Sequence, residues 1–200
     1  NPTERRNIPY EPKIPSTEND TLPVNTTIVL ATTYQLNEMP VYKRILLKLS
    51  GESLMGAQKY GLDTAVLNSY ATQIKAVVDS GVQVGIVIGG GNFWRGRQSN
   101  AIDRTKADQI GMLATVMNCI YVSEIFRSEG MMTQILTPFE CGSMTKLFSK
   151  DRANKYFSKG MVVFFAGGTG HPYFSTDTGV ALRAIEMDAD CILLAKAIDG

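Results

Sequence analysis

The stretch Ile45-Leu46-Leu47-Lys48-Leu49-Ser50-Gly51 decides the fold class of this chain. A short apolar run that ends at a turn residue is typical of a strand buried on both faces. The pattern recurs, because Val82–Ile88 ends at three glycines and Met161–Ala166 ends at Gly167-Gly168. Further strands are expected at Met132–Leu136 and Cys191–Ala195. Strands that are apolar throughout and separated by helices predict an α/β fold with a mainly parallel sheet covered on both faces.

Four helical patterns lie between these strands. Asp63 is expected to cap a helix that stops at Gly81, and its apolar positions are Leu67, Tyr70, Ile74, Val77 and Val78. A longer helix from about Thr105 to Arg127 carries, on one side, Ile110, Leu113, Met117 and Tyr121. A polar helical segment is expected within Lys146–Ser158, and a last helix begins near Ser175-Thr176-Asp177 and runs to about Met187.

The composition excludes several classes of protein. Twenty Lys and Arg against 19 Asp and Glu leave a net charge of +1 in 200 residues, without the basic excess of a nucleic-acid or membrane-surface binder. The single histidine, His171, disfavours a His-rich metal site. Three cysteines without a C-x-x-C pair (Cys119, Cys141 and Cys191) indicate buried thiols in a reducing cytosol. No apolar run reaches the roughly 20 residues of a membrane span, so a cytoplasmic location is expected.

The chain changes character near residue 40. Most of its eight prolines and none of its 18 glycines precede residue 41, and the only short apolar run there is Ile28–Ala31. Residues 1–38 are therefore predicted to be a disordered extension, because they lack the apolar surface that would offset their ordering entropy. Residues 39–200 are predicted to form the domain.

Three of the strand ends are rich in glycine and hydroxyl groups, at Lys48–Gly51, Gly89–Asn92 and Gly167–Gly170. Ligands bind open α/β sheets at the carboxyl ends of the strands. A backbone without side chains lets several N–H groups converge on anionic oxygens. Any one such loop is more simply a tight turn, but three after three strands favour a long polyanion, such as two phosphorylated ligands end to end.

Better-known motifs are missing. The sequence has no G-x-x-x-x-G-K-[ST], which excludes a P-loop protein. Trp94 stands where the dinucleotide fingerprint needs Gly or Ala, so a nicotinamide site is weakly supported. Neither a G-x-S-x-G elbow nor an H-E-x-x-H helix occurs.

Four side chains are candidates for the chemistry. Lys48 interrupts an apolar strand beside Ser50-Gly51, which favours a phosphate contact over a lysine that snorkels to the strand end. Arg95 offers a bidentate fork to a second phosphate, or else a surface salt bridge. Asp108 is a candidate for ribose hydroxyls, with helix capping as the simpler role. For His171, hydrogen bonding is favoured over general-base catalysis.

Five blocks of residues carry a resemblance to a known family: Tyr42–Glu52, Val87–Asn92 with Arg95-Gly96, Gly111–Asn118, Gly168–Thr178 and Ala181–Glu186. Together they resemble bacterial uridylate (UMP) kinases, in the amino-acid-kinase family. The resemblance covers residues 39–200 without a large gap. It implies a three-layer α/β sandwich and the reaction ATP plus UMP to ADP plus UDP with Mg²⁺. It also implies a homohexamer and regulation by GTP and UTP.

The resemblance also implies roles for individual residues. The catalytic residues would be Lys48, Arg95 and Asp177, with Asp177 orienting the site. The ATP phosphates would lie along Lys48, Leu49, Ser50, Gly51, Gly91 and Arg95. UMP would be held by Gly90, Asp108, Thr169, Gly170, His171, Pro172, Tyr173, Phe174, Ser175 and Thr176. No protein ligand to a metal is expected.

Two departures from the family pattern accompany this resemblance. His171 stands where most relatives have Asn. The family continues past Gly200 into a segment that contacts adenosine, so the domain is expected to be incomplete at its C-terminus.

Two alternative functions remain open from the sequence alone. One is an amino-acid or carbamate kinase of the same fold, and the other is a non-catalytic uridine-nucleotide-binding regulator.

Overall fold

A computed structural model describes residues 40–95 and 101–195. The predicted extension at residues 1–38 and Gly96 of the resemblance lie outside the described residues. Six strands form one sheet with every pairing parallel, in the spatial order β4-β3-β5-β2-β1-β6. The strands are β1 (Arg44–Leu49), β2 (Gln83–Ile88), β3 (Thr133–Thr137), β4 (Lys146–Leu147), β5 (Val162–Phe165) and β6 (Cys191–Ala195). The predicted parallel sheet is confirmed, and only the two-residue strand β4 was missed.

Four helices connect the strands: α1 (Thr64–Asp79), α2 (Arg104–Ser128), α3 (Lys150–Phe157) and α4 (Thr176–Glu186). Each begins at a residue whose side-chain oxygen accepts a backbone N–H of the first turn, as helix N-caps do: Asp63, Asp103, Ser149 and Ser175. The predicted cap at Asp63 is confirmed. The polar segment around α3 becomes helical only from Lys150, because Lys146 and Leu147 pair with β3.

Two separate cores flank the sheet and make three layers. Along β1 the side chains alternate, so Ile45, Leu47 and Leu49 pack with α1 and α2, while Leu46 packs with α3 and α4. Lys48 has the same parity as Leu46 and therefore lies on the α3–α4 face. The strand pattern thus decides which helices can reach the buried lysine.

Helix α2 departs from the expectation for an amphipathic core helix. Its apolar side at Ile110, Leu113, Met117 and Tyr121 is exposed. The side that packs on the sheet instead carries small or polar residues among its apolar ones, including Ala114, Thr115, Asn118 and Ser123. The turn after β2 comes close to this side of the helix, since a Cβ on Gly90 would lie 3.0 Å from Cβ of Ala114, which leaves room for only a small side chain at position 114.

The length and hydropathy of α2 alone would also suit a membrane span. Its most apolar window has a mean hydropathy of 1.3, but 44% of that window is buried within the domain. The core helix of a globular protein has the same properties, so this helix is weak evidence for a membrane.

Candidate functional site

The floor of the site is the contact between the turns that follow β1 and β2. The Gly89 N–H donates to the Leu49 carbonyl at 2.9 Å and continues the pairing of the two strands into the turns. A Cβ on Gly51 would lie 2.6 Å from the Gly91 nitrogen. Glycine is therefore required at position 51 by the close approach of two backbones.

Lys48 lies at the carboxyl end of β1 and is almost fully buried. Its Nζ is 2.9 Å from Oδ1 of Asp177, in the first turn of α4. Asp177 itself is half exposed and lines the same cleft as Lys48. A buried ammonium is stabilised by such a partner, and here the partner stands at a helix N-terminus, where a carboxylate is favoured.

The third glycine turn follows β5. Gly167, Gly168 and Gly170 all have positive φ angles of 59–82°, which side-chain-bearing residues rarely adopt. The Gly167 N–H donates to Oγ1 of Thr115 at 2.8 Å, and this bond ties the turn to α2. The turn therefore presents backbone groups to the cleft in a geometry that depends on glycine.

Asp108 joins α2 to the loop before α4. Its Oδ2 accepts the Arg104 Nε–H at 2.9 Å and the Tyr173 backbone N–H at 2.8 Å. The Arg104 guanidinium also lies over the Tyr173 ring, 5.2 Å from its centroid, and Tyr173 has a φ of 71°. A carboxylate held by two donors at the cleft wall is well placed to bind a polar ligand group.

Arg95 and Glu52 face each other across the mouth of the cleft. Nη2 of Arg95 is 3.5 Å from Oε1 of Glu52, and the Arg95 Nε–H donates to the Gly91 carbonyl at 3.3 Å. Glu52 was not among the predicted site residues. The sequence signals for it were its position directly after Ser50-Gly51 and its place at the end of the block Tyr42–Glu52.

A buried pair of asparagines holds the glycine turn after β2. Nδ2 of Asn118 donates to Oδ1 of Asn92 at 2.7 Å and to the Gly89 carbonyl at the same distance, while Asn92 donates back to Asn118 at 2.9 Å. Nearby, the indole N–H of Trp94 donates to the Ala107 carbonyl at 2.8 Å. Asn92 belongs to a predicted ligand-binding turn, but the supporting contacts of all three residues were not predicted, because they join segments far apart in the chain.

The strand-end turns, the start of α2 and the start of α4 enclose a cleft of about 460 Å³. This volume is within the range of small-molecule sites. The predicted residues that line it are Lys48, Ser50, Gly51, Gly90, Gly91, Arg95, Asp108, Thr169, His171, Phe174, Ser175, Thr176 and Asp177. Four predicted residues are not among its lining: Leu49, Gly170, Pro172 and Tyr173. Leu49 instead packs into the core, and the role of every predicted residue stays a prediction.

The cleft carries both signs of charge. Its lining includes Lys48 and Arg95 on one hand, and Glu52, Asp108 and Asp177 on the other. Within residues 40–95 and 101–195, no three His, Cys, Asp or Glu side chains are grouped to hold a metal ion. Lys48 and Arg95 can therefore contact negatively charged groups of a ligand.

The cysteines lie outside this lining. All three are free; Cys119 is buried, whereas Cys141 and Cys191 are only half-buried. Burial raises the pKa of the Cys119 thiol, and burial with the nearby Asp190 carboxylate raises the pKa of Cys191. Both thiols are thus held in the protonated, unreactive form.

Comparison with known proteins agrees with this geometry. The model of the Amino acid kinase family matches residues 43–200. A uridylate kinase of Parabacteroides distasonis is 49% identical over 164 residues, which cover 81% of this chain and 70% of that protein. The UMP kinase structure from Bacillus anthracis has a TM-score of 0.75 at 37% identity and covers 80% of this chain and 67% of that one. The UMP kinase structure from Ureaplasma parvum has a TM-score of 0.74 at 34% identity and covers 79% of this chain and 68% of that one. The chain therefore belongs to the amino acid kinase family and, within it, to the uridylate kinases.

Proposed function

We propose that this protein transfers the γ-phosphoryl group of ATP to UMP and releases UDP and ADP. The observation that carries the proposal is the meeting of three glycine turns in one cleft around the buried Lys48. Backbone N–H groups and a fixed ammonium are the groups that stabilise phosphate charge. The names of the relatives supply the identity of the two nucleotides.

The chemistry requires alignment and charge neutralisation more than a base. A phosphate oxygen of UMP attacks the γ-phosphorus, and the bond to the oxygen that bridges the β- and γ-phosphorus atoms breaks, leaving its electron pair on ADP. The attacking oxygen is already anionic, so no proton has to be removed by a side chain. Lys48 and the glycine-turn amides stabilise charge on the transferred group, and Asp177 orients Lys48 at 2.9 Å. Arg95 offsets the repulsion between the two anionic substrates.

The two nucleotides divide the cleft between them in this proposal. ATP phosphates lie along Ser50, Gly51 and Gly91, and UMP lies along Gly90, Asp108 and the 169–176 loop. Asp108 accepts the ribose hydroxyls of UMP. Because Oδ2 of Asp108 already accepts two N–H groups, the ribose contact uses the remaining acceptor capacity of that carboxylate.

Mg²⁺ enters with ATP in this proposal. Mg²⁺ is commonly bound through one or two carboxylates together with substrate phosphates. The cleft has carboxylates at Glu52 and Asp177 but no cluster of three metal-binding side chains among the described residues. This donor set fits a cation held mostly by the nucleotide, which would neutralise phosphate charge once bound.

The relatives also support proposals about the setting of the enzyme. We propose a cytoplasmic protein in pyrimidine nucleotide synthesis that assembles as a homohexamer and responds to GTP and UTP. These statements rest on the family resemblance. The mass of the particle in solution checks the assembly, and the rate of ADP release with and without GTP or UTP checks the regulation.

The proposed reaction is tested by a substrate panel in an ADP-release assay. With ATP and Mg²⁺, we expect UMP to be used at least about tenfold better than CMP, because a polar site discriminates strongly between hydrogen-bonding groups. Carbamate, aspartate and glutamate should give no turnover. A Lys48→Ala preparation purified in parallel controls for contaminating kinases.

Two outcomes would change the proposal. Turnover with a small acid but not with UMP would make the protein an amino-acid or carbamate kinase of the same fold. Tight UMP binding without any ADP release would instead identify a uridine-nucleotide-binding regulator.

A further inference from the structure

Helix α2 has buried polar residues on the side that packs on the sheet. Thr115 and Asn118 lie three residues apart on this side and expose only 4% and 0% of their surfaces. Residues at this spacing are neighbours on one face of a helix. A buried hydroxyl or carboxamide is costly unless its polar atoms are paired. The partners of these two side chains therefore indicate why polar residues stand here.

Thr115 holds the glycine turn after β5. Its Oγ1 accepts the Gly167 N–H at 2.8 Å and donates its own proton to the Met112 carbonyl at 2.7 Å. The bond to Met112 directs the hydroxyl proton away from the turn, so a lone pair of the oxygen faces Gly167. This turn leads into the 169–176 loop, along which UMP lies in the proposed function.

Asn118 holds the glycine turn after β2. Its Nδ2 donates both protons, to the Gly89 carbonyl and to Oδ1 of Asn92, each at 2.7 Å. Nδ2 of Asn92 donates one proton back to Asn118 at 2.9 Å and the other to the Gly61 carbonyl at 3.0 Å. Every side-chain amide proton of the pair thus has an acceptor, which fixes both side chains and the turn that they hold.

The two turns are not joined to each other by their own backbones. The pairing of β2 with β5 ends at Ile86 and Phe164. Beyond it, within the part of the chain that the structure describes, no backbone hydrogen bond links residues 89–92 with residues 167–170. One turn of α2, residues 115–118, bonds to both instead. The helix therefore connects the two glycine turns.

We propose that Thr115 and Asn118 are positioning residues for phosphoryl transfer, because they set the distance between the two glycine turns. The inference rests on the proposed function, in which the turn after β2 contacts both nucleotides and the turn after β5 leads into the UMP loop. Transfer requires the reacting phosphates to be in line at close range, and a displacement of about 1 Å can lower a rate roughly a hundredfold. Neither side chain has to touch a reacting atom in this role.

The role of Thr115 is tested with Thr115→Val, which keeps the shape of the side chain and removes its hydroxyl. We expect the kcat for ADP release to fall at least about tenfold, because the Gly167 N–H loses its acceptor and the turn shifts. The KM for ATP should stay within about twofold, since the ATP phosphates lie along other turns. Thr115→Ser retains the hydroxyl and should return kcat to within about twofold of the wild type.

Thr133→Val is the matched control. Thr133 is 1% exposed and begins β3, at the edge of the sheet opposite the cleft. Its Oγ1 lies 2.8 Å from Oγ of Ser123 on α2 and accepts the Arg127 Nε–H at 2.9 Å. The same substitution therefore removes a buried hydroxyl that ties the same helix to the sheet. Both valine variants should lower the midpoint of thermal unfolding, on the order of 5 °C, but only Thr115→Val should lower kcat.

Asn118→Leu tests whether the two residues act together. It should lower kcat roughly tenfold, because the Gly89 carbonyl loses its donor. If the residues set one distance, Thr115→Val/Asn118→Leu should lose little more than the larger single variant, whereas independent effects would multiply. Asn118→Asp takes the place of Asn118→Leu if that variant does not fold, since a carboxylate of the same shape cannot donate to Gly89.

Three results would overturn the inference while the wild type releases ADP, and so leave the proposed reaction intact. They are equal kcat values for Thr115→Val and Thr133→Val, no recovery in Thr115→Ser, and effects that multiply in the double variant. A wild type that binds UMP without releasing ADP rejects the proposed reaction instead. The two valine variants are then compared by the dissociation constant of UMP, where a rise of about tenfold in Thr115→Val alone would retain the positioning role.

Discussion

Lys48 and Arg183 are two buried cations on the same face of the sheet, and their surroundings differ. Lys48 exposes 6% of its surface and Arg183 5%. Arg183 lies 3.9 Å from the centroid of the Phe148 ring and donates to Glu186, one turn further along α4. Lys48 pairs with the half-exposed Asp177 in an open cleft. Burial of the charge is the same in both places, but only Lys48 faces a space that a ligand can enter.

Helix α4 provides the partner of each cation. Asp177 is in its first turn, near the positive end of the helix dipole, and Arg183 is in its last turn, near the negative end. Helix α4 thus stabilises Lys48 at the carboxyl ends of the strands through its first turn, and it carries the structural cation Arg183 in its last turn. The comparison teaches that a buried charge indicates a binding site only when its neighbours leave it accessible.

The largest effect is expected for Lys48→Met. Loss of a preorganised cationic contact should lower turnover by about 10²–10³. The midpoint of thermal unfolding should change little, because the new side chain is apolar and Asp177 remains in contact with water. Steady-state kinetics and a melting curve on the same preparation test both statements.

Lys75→Met is the control for this variant. Lys75 pairs with Asp79 at 2.7 Å on the exposed side of α1, so its loss should change neither rate nor stability measurably. Turnover of Lys48→Met close to that of the control would refute the catalytic role of Lys48.

Arg183→Met should show the opposite behaviour. The variant loses a cation–π contact and a charged hydrogen bond, so the free energy of unfolding should fall by about 1–3 kcal/mol. Turnover per folded molecule should stay unchanged, because Arg183 does not line the cleft. Denaturant unfolding measures the free energy of unfolding, and a rate corrected for the folded fraction measures the turnover per folded molecule. If Arg183→Met is as stable as the wild type but inactive, Arg183 does not have the purely structural role that distinguishes it from Lys48.

The smallest effect is expected at Asp190, which precedes β6. The backbone N–H groups of Arg44 and Lys43 donate to its carboxylate and hold the pKa of Asp190 below its ordinary value. A lowered folded-state pKa stabilises the fold above the unfolded pKa, and this contribution is lost as pH falls through the folded pKa. Wild type should therefore melt slightly above Asp190→Asn at pH 7, and the difference should disappear as pH falls through the lowered folded-state pKa of Asp190. A difference that grows in acid would contradict this assignment.

Much of the fold could be predicted from local patterns. The apolar runs around Leu46 and Ile86 and the cap at Asp63 depend on neighbouring residues only, and they match the structure. The short strand at Lys146–Leu147 was not predictable, because two exposed residues carry no strand signal until they pair with Leu136 and Thr137. The exposure of the apolar side of α2 was also not apparent, since an apolar stripe has the same sequence pattern whether it faces the sheet or points away from it.

The candidate site also has some features that local sequence predicts and others that depend on the tertiary structure. The sequence by itself determined the α/β class, the three glycine-rich strand ends and the buried Lys48, because strand alternation and glycine chemistry are local properties. Only the tertiary structure decided that Asp177 pairs with Lys48, that Glu52 faces Arg95 and that Asn118 holds the turn at Gly89. The physical reason is that these contacts join residues 29 to 129 positions apart in the chain, and their partners are chosen by the packing of parallel strands and helices.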